Sequence, residues 1–324
     1  MSYTNGLDNP ELYFQCKLYT GTGSSNAITL DGDEDMQSDF VWIKSRGVTY
    51  NNHTFNSVIG TDKSITANES AAEITISGLT AFGTDGFTVG TDNQCNNDGD
   101  SLVAWCWKES ATAGFDIVSY TGNGSTRTVS HSLSAVPKVI ICKSRGNTDG
   151  STDAARNWGV YHAGIASDAE TDVMTLDTDG AASDDNAPWN DTAPTSSVWS
   201  MGNDDRTNLS NLTYIAYLFA EKQGFSKFGS YTGNGNADGT FVYTGFKPAF
   251  VMIKRTSDTQ SWYMLDNKRN TFNPLDKYLL ANTSDAETTF VIPDFLSNGF
   301  KLRTTGGGTN ASGATYIYMA FAEA

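Results

Sequence analysis

Few basic residues, few histidines, few cysteines and no long apolar run mark this 324-residue sequence. Lys and Arg number 21 against 37 Asp and Glu, for a formal net charge of −16. That balance argues against sequence-independent binding to a phosphate backbone, which needs clustered Lys and Arg, and against an anionic membrane surface. It suits a β-rich particle that stays soluble through its own charge. No apolar run approaches the roughly 20 residues that span a bilayer, so neither nucleic acid nor membrane insertion is expected. The opening MSYTNGLDNPELYF lacks the basic region and apolar core of a secretory signal, which points to synthesis in a cytoplasm. The three histidines, His53, His131 and His162, do not recur beside a nucleophile. There is no GxSxG, P-loop or dinucleotide fingerprint. No catalytic residue and no cofactor is therefore expected. A glycan depolymerase acting through paired carboxylates stays open, because 37 acids offer many pairs.

Against these absences stands a repetition. YTGNG occupies Tyr120 to Gly124 and again Tyr231 to Gly235, with the variant YTGTG at Tyr19 to Gly23. The tyrosines are 101 and 111 residues apart. Each motif is followed by an apolar strand-like run ending in lysine: FVWIKSR at Phe40, VIICKSR at Val139 and FVMIKR at Phe250. Lys44, Lys143 and Lys254 fall 25, 23 and 23 residues beyond their tyrosines. ANESAAE from Ala67 matches ANTSDAE from Ala281, and DGFTVG from Asp85 matches NGFKLR from Asn298. Each copy closes on LVAWCWK, YIAYLFAEK or YIYMAFAEA. Recurrence in a fixed order means one unit copied. The expected organisation is an N-terminal arm over 1–14, then copies over 15–112, 113–223 and 224–324. The four cysteines are not placed equivalently in the copies, whereas a disulfide framework would repeat with the unit. They read as free thiols, with Cys106 and Cys142 in the core.

Gly, Ser, Thr and Asn fill the space between short apolar runs, the texture of strands and turns. In the first copy, strands are expected at 14–19, 27–30, 40–44, 54–59, 64–67, 73–76, 87–89 and 102–107. Strands this short and close read as all-β: three tandem β-sandwich modules of jelly-roll or lectin-like type, with little or no helix. The closing apolar run is too continuous for simple alternation and suits a central strand buried on both faces. The lysines are expected to snorkel or to pair with an acidic neighbour. The second copy carries an acidic stretch over 178–197 that reads as a loop insertion projecting from the surface.

Candidate sites are sparse. DGDED offers Asp31, Asp33 and Asp35, and DTDG offers Asp177 and Asp179 with Asp184 and Asp185 beyond. Hard cations favour such clusters, yet neither loop completes an EF-hand, so solvated acidic turns and a weak cation site are both readings. Exposed Trp and Tyr stack on sugar faces and anchor interfaces. Trp189, Trp262 and Tyr263 are the candidates for partner contact: Trp189 because it lies within the polar insertion, Trp262 with core packing as its default.

The chain resembles a family of virion proteins of marine tailed bacteriophages. The resemblance rests on NPELYFQCKLYTGTGSSNAITLDGDEDMQSDFVWIKSR, LTAFGTDGFTVG and LVAWCWK, and on the repeated YTGNG and YIAYLFAE elements. Where many relatives carry a Trp-rich segment after FVWIK, this chain reads NNHTFNSV. The resemblance implies a lectin-like β-sandwich unit in a structural virion protein. A tail appendage (fibre, spike or adaptor) contributing to host attachment is the first expectation, and a capsid decoration protein the alternative. It implies other virion proteins as partners, a trimeric or hexamer-related homo-oligomer, and a host-surface glycan or receptor as ligand.

Overall fold

The structure is a computed structural model that describes residue 7 and residues 9–148 and 154–322. Among the described residues the only departures from strand and loop are single turns of helix at Pro10–Leu12, Asn93–Asn96 and Ala169–Thr171. The fold is all-β. The strands expected in the first copy are present within a few residues, together with a hairpin strand, Leu79–Phe82, that the sequence did not announce. Its four residues lie between Gly78 and Gly83 and show no alternation.

Three six-stranded antiparallel sheets follow one another along the chain with the same strand order. In the first, Phe14–Thr20, Ser101–Trp107, Phe40–Ser45, His53–Asn56, Lys63–Thr66 and Ile74–Thr75 lie side by side in that sequence. The second begins Phe115–Thr121, Leu212–Phe219, Val139–Asn147, and the third Ser226–Thr232, Thr315–Phe321, Phe250–Arg255. A small sheet backs each: Asn26–Ile28, Phe87–Val89 and Leu79–Phe82 in the first unit, and Phe241–Tyr243, Gly299–Leu302 and Pro293–Leu296 in the third. In the second unit, among the described residues, only Arg127–Ser130 and Val198–Met201 pair.

The central strands of each large sheet are buried on both faces, and the two faces enter different cores. In the first unit Val41, Ile43, Ala104 and Cys106 point to the small sheet and meet Ile28, Leu79 and Val89. Their neighbours Phe40, Trp42, Val103, Trp105 and Trp107 point the other way, into a core shared with the other two units. This double burial is why the closing run reads as continuously apolar. The shared core is aromatic at its centre. Phe321 of the third unit packs on Phe14 and Trp107 of the first and Phe219 of the second, with ring centroids 5.4, 5.6 and 5.8 Å away. Phe40 lies 4.4 Å from Tyr217 across the first and second units. The three sheets are thus separate in hydrogen bonding and joined by one core. The described end of the N-terminal arm joins it too, since Leu7 and Phe14 are buried there; the rest of the arm lies outside the described residues.

The units contact one another in a closed cycle, first to third, second to first and third to second. The repeated lysines make these junctions. Lys44 donates to Ser284 O at 2.7 Å, Lys143 to Ser70 O at 2.7 Å and Lys254 to Asp179 O at 3.1 Å. All three are fully buried, so they neither snorkel nor pair directly with a carboxylate; a loop of the neighbouring unit supplies carbonyls to the ammonium. Burial pushes each down to about 8. Trp158 and Trp262 donate Nε1 to Thr66 O and Thr175 O of the preceding unit. Asn52 takes this position in the first unit and donates Nδ2 to Leu280, Ala281 and Thr283 carbonyls. Two junctions carry an ion pair, Arg46–Glu287 at 2.8 Å and Arg145–Glu73 at 2.7 Å. The third has Thr256 and Ala182 there, joined by a backbone bond alone.

The YTGxG motif has a structural role. Each tyrosine donates its hydroxyl to a loop carbonyl: Tyr19 to Cys95 O, Tyr120 to Thr207 O, Tyr231 to Thr309 O, each at 2.7 Å. The residue after each of these carbonyls is a fully buried asparagine, Asn96, Asn208 or Asn310. Asn208 Oδ1 accepts from Asn123 N at 3.1 Å, while its amide donates to Ser125 O and Gly202 O at 2.7 and 2.8 Å. Asn310 repeats the pattern with Asn234, Asn236 and Thr304. The motif's first glycine is required by close approach, because a Cβ on Gly122 would sit 2.1 Å from Leu209 O. The second glycine has φ +65 in all three units, a conformation L-residues with a Cβ rarely adopt.

Candidate functional site

The stretch 178–197 does not project as a free loop. Ala182 N bonds Thr256 O and Asp179 O accepts from Gln260 N, which ties its start to the third unit. Trp189 is then buried at 2% exposure and donates Nε1 to Asp172 O at 3.1 Å. It packs edge-on to Tyr161 at 5.7 Å, filling the second unit's own core where the other units have a third small-sheet strand. The exposed contact expected at Trp189 is therefore corrected: a lone indole in a polar stretch gains more from an empty core site than from water. Trp262, at 2% exposure, is a junction residue rather than a surface one. Asp31, Asp33 and Asp35 are not gathered round a point. Asp31 pairs with Lys17 and Asp33 N donates to Glu11, and among the described residues no group of three acids, histidines or cysteines could hold a metal ion. The four cysteines are buried and none forms a disulfide. His53 bonds Ser64 Oγ at 2.8 Å. His162 Nδ1 accepts from Gly164 N, so Nε2 donates to Tyr318 O at 3.1 Å, and burial pushes its pKa down to about 4. Both are structural.

Tyr263 is the candidate that reaches a cavity. It is half-buried in a groove of about 320 Å³ in the third unit, lined also by Gln260, Tyr278, Phe290, Ile292, the run Gly306–Gly308, and Thr309. That volume falls in the range of small-ligand sites, roughly 300–1,000 Å³. The Tyr263 and Tyr278 rings stand 5.1 Å apart, tilted by 50°. Burial raises the pKa of the Tyr263 hydroxyl, with smaller contributions from Tyr278 and Tyr316. Phe290 is 52% exposed and its ring edge packs on Gly306. A Cβ at Gly308 would lie 2.3 Å from the Tyr263 hydroxyl, so only glycine leaves the ring where it is. The neighbouring Arg255 is drawn off to Asp258 and Ser257. The groove thus offers aromatic faces, phenol hydroxyls, a carboxamide and glycine backbone, with no charged side chain in its lining.

The other two units fill the equivalent place. Strand register aligns Tyr263 with His53 and Gly159. Counting back from the buried asparagines aligns Gly308 with Gln94 and Arg206. The bonds Phe290 N→Asp276 O, Ile76 N→Asp62 O and Asp185 N→Thr171 O align Phe290 with Ile76 and Asp185. In the second unit Arg206 pairs with Asp185 across the position of the groove, and its side chain packs on Gly159. In the first, Gln94 accepts from Asn51 N beside the His53–Ser64 pair. Sequence reasoning found Tyr263 but not Tyr278, Phe290 or the glycines. The signal was present as a GGG run two residues before a buried asparagine, at a position where the other copies carry side chains.

No curated protein matches the chain. A family model described as a domain of unknown function, DUF7483, matches residues 9–324, which takes in all three sheets and the groove, and the chain belongs to that family.

Proposed function

We propose that this chain is a structural protein of a tailed-bacteriophage virion, a tail appendage component (fibre, spike or adaptor) that contributes to host-surface attachment. The observation that carries the reading is the closed cycle of three like units round one aromatic core. Its buried polar groups, the junction lysines and the asparagine clamps, are spent on holding backbone in place. Three like units joined in a closed cycle suit a part that must mate with symmetric neighbours, and the arrangement accords with the resemblance of YTGTG, FVWIKSR and LVAWCWK to virion proteins. Assembly with other virion proteins, as a trimer or hexamer-related oligomer, belongs to the same proposal. A capsid decoration protein is the second reading, favoured by the same cycle of three units, which fits a local threefold position on a head.

Cryo-electron microscopy of the virion tests both. A few copies at the tail, in threes or sixes, support an appendage. Hundreds over the head would make the chain a decoration protein. Absence of its peptides from purified virions would refute both readings.

A further inference from the structure

We infer that the groove of the third unit binds the face of a neutral pyranose sugar. The inference gives the attachment role its ligand class and rests on that reading for its biological meaning, although the binding itself is a property of the isolated chain. Three observations carry it.

The first is the contrast among the chain's own units. The fold does not need an opening here, since the second unit closes the place with the Arg206–Asp185 pair and the first with Gln94, Asn51 and His53. In the third unit both closing groups are gone: glycine stands at 308 and an exposed phenyl ring at 290. The place is left open with a half-exposed ring at its edge, and a ligand that covers the ring removes that apolar surface from water.

The second is the chemistry of the lining. A pyranose has an apolar C–H face and a rim of hydroxyls that donate and accept. Tyr263, Tyr278 and Phe290 supply ring surface for the face. The Tyr263 and Tyr278 hydroxyls and the Gln260 carboxamide have no hydrogen-bond partner among the described residues, so they are free to meet the rim, beside Thr309 and the backbone of Gly308. A purely apolar ligand would leave these polar groups unpaired on burial, which is unfavourable.

The third is charge. No ionised side chain lines the groove, and the chain as a whole carries −16. The one cation beside it, the Arg255 guanidinium next to Gly307, is already paired with Asp258, so an acidic sugar would meet an unfavourable field and the ligand is neutral.

The test uses the whole chain with methyl α-D-glucopyranoside, methyl β-D-galactopyranoside and methyl N-acetyl-β-D-glucosaminide as probes, and methyl α-D-galacturonate as the charged control. Binding is followed by saturation-transfer difference NMR and titration of tyrosine side-chain resonances. At least one neutral probe is expected to bind in the millimolar range, more tightly than galacturonate. Tyr263→Ala should weaken it about tenfold or more. The triple variant Tyr263→Gly, Gly308→Arg and Phe290→Asp copies the second unit's closure, in which Arg206 packs on Gly159 and pairs with Asp185, and should abolish binding while far-ultraviolet circular dichroism and thermal midpoint stay near wild type. If that triple variant fails to fold, Gly308→Ala, which only displaces the Tyr263 ring, takes its place with the same expected loss. No binding of any neutral probe by the folded chain overturns the inference and leaves the virion reading intact. Binding that survives groove closure, or a preference for galacturonate, overturns it as well. Sugar binding by a chain that virions do not contain would sustain the inference and refute the virion reading.

Discussion

Replacing Phe321 with alanine should destabilise the whole chain at once. Phe321 belongs to the third unit, yet its ring meets Phe14 and Trp107 of the first, Phe219 of the second and Phe228 and Phe250 of its own. It is 2% exposed. Truncating a buried phenylalanine costs about 3–5 kcal/mol, from lost transfer energy and the cavity left behind. Aromatic pairs add about 0.5–1.5 kcal/mol beyond area, so the upper half of that range is expected. Against a typical total of about 5–15 kcal/mol, the loss is large. Urea unfolding followed by intrinsic fluorescence is the assay, because Trp105 and Trp107 report on the first unit, Trp189 and Trp199 on the second and Trp262 on the third. With one shared core, the Phe321→Ala transition moves to lower urea as a single step in all probes. A biphasic curve, with the third unit lost early and the others melting at the wild-type midpoint, would refute the shared core as the source of stability. So would a loss under about 1 kcal/mol, smaller than buried ring truncation allows.

Three further expectations follow from buried polar groups. Asn208→Ala removes the clamp on the second YTGNG turn and leaves Asn123 N, Ser125 O and Gly202 O without their partner; a loss of about 2–4 kcal/mol is expected after partial rehydration, and chemical denaturation showing less than about 0.5 kcal/mol would contradict the clamp. Lys143, pushed down from 10.5 to about 8 by burial, holds fewer protons folded than unfolded between those values. Its contribution to stability therefore rises with pH through that window, by up to about 3 kcal/mol; the stability difference between wild type and Lys143→Met should grow in the wild type's favour from pH 7.5 to 10, and a flat difference would refute the assignment. Glu109 is raised from 4.5 to about 7 by burial and by its hydrogen bond with Asp116. Folded, it holds its proton more tightly, so it costs stability as pH rises from 4.5 through 7. Glu109→Gln keeps an acceptor for Ile117 N and should stabilise the chain at pH 8 by about 1–2 kcal/mol after solvent screening; an unchanged thermal midpoint at pH 8 would count against it.

Much of this protein could be read from residue order alone. Strand class, the three sheets' successive spans, the double burial of the closing runs and cysteines outside disulfides follow from composition and the repeat, because burial and turn geometry act over a few residues. Even the clamp asparagines were within reach: Asn96, Asn208 and Asn310 each stand six residues before the closing run. What remained hidden depends on contacts between distant residues. Trp189 looked exposed in its polar stretch and is core, since it stands where the other units place a third small-sheet strand against the large sheet. The repeated lysines looked like strand ends and are junctions, because their acceptors lie in another unit. The groove is set by three positions far apart in the chain, 263, 290 and 308, whose side chains meet only once the sheets close. Local periodicity carries no record of such meetings; the closed packing of three sheets round one core creates them.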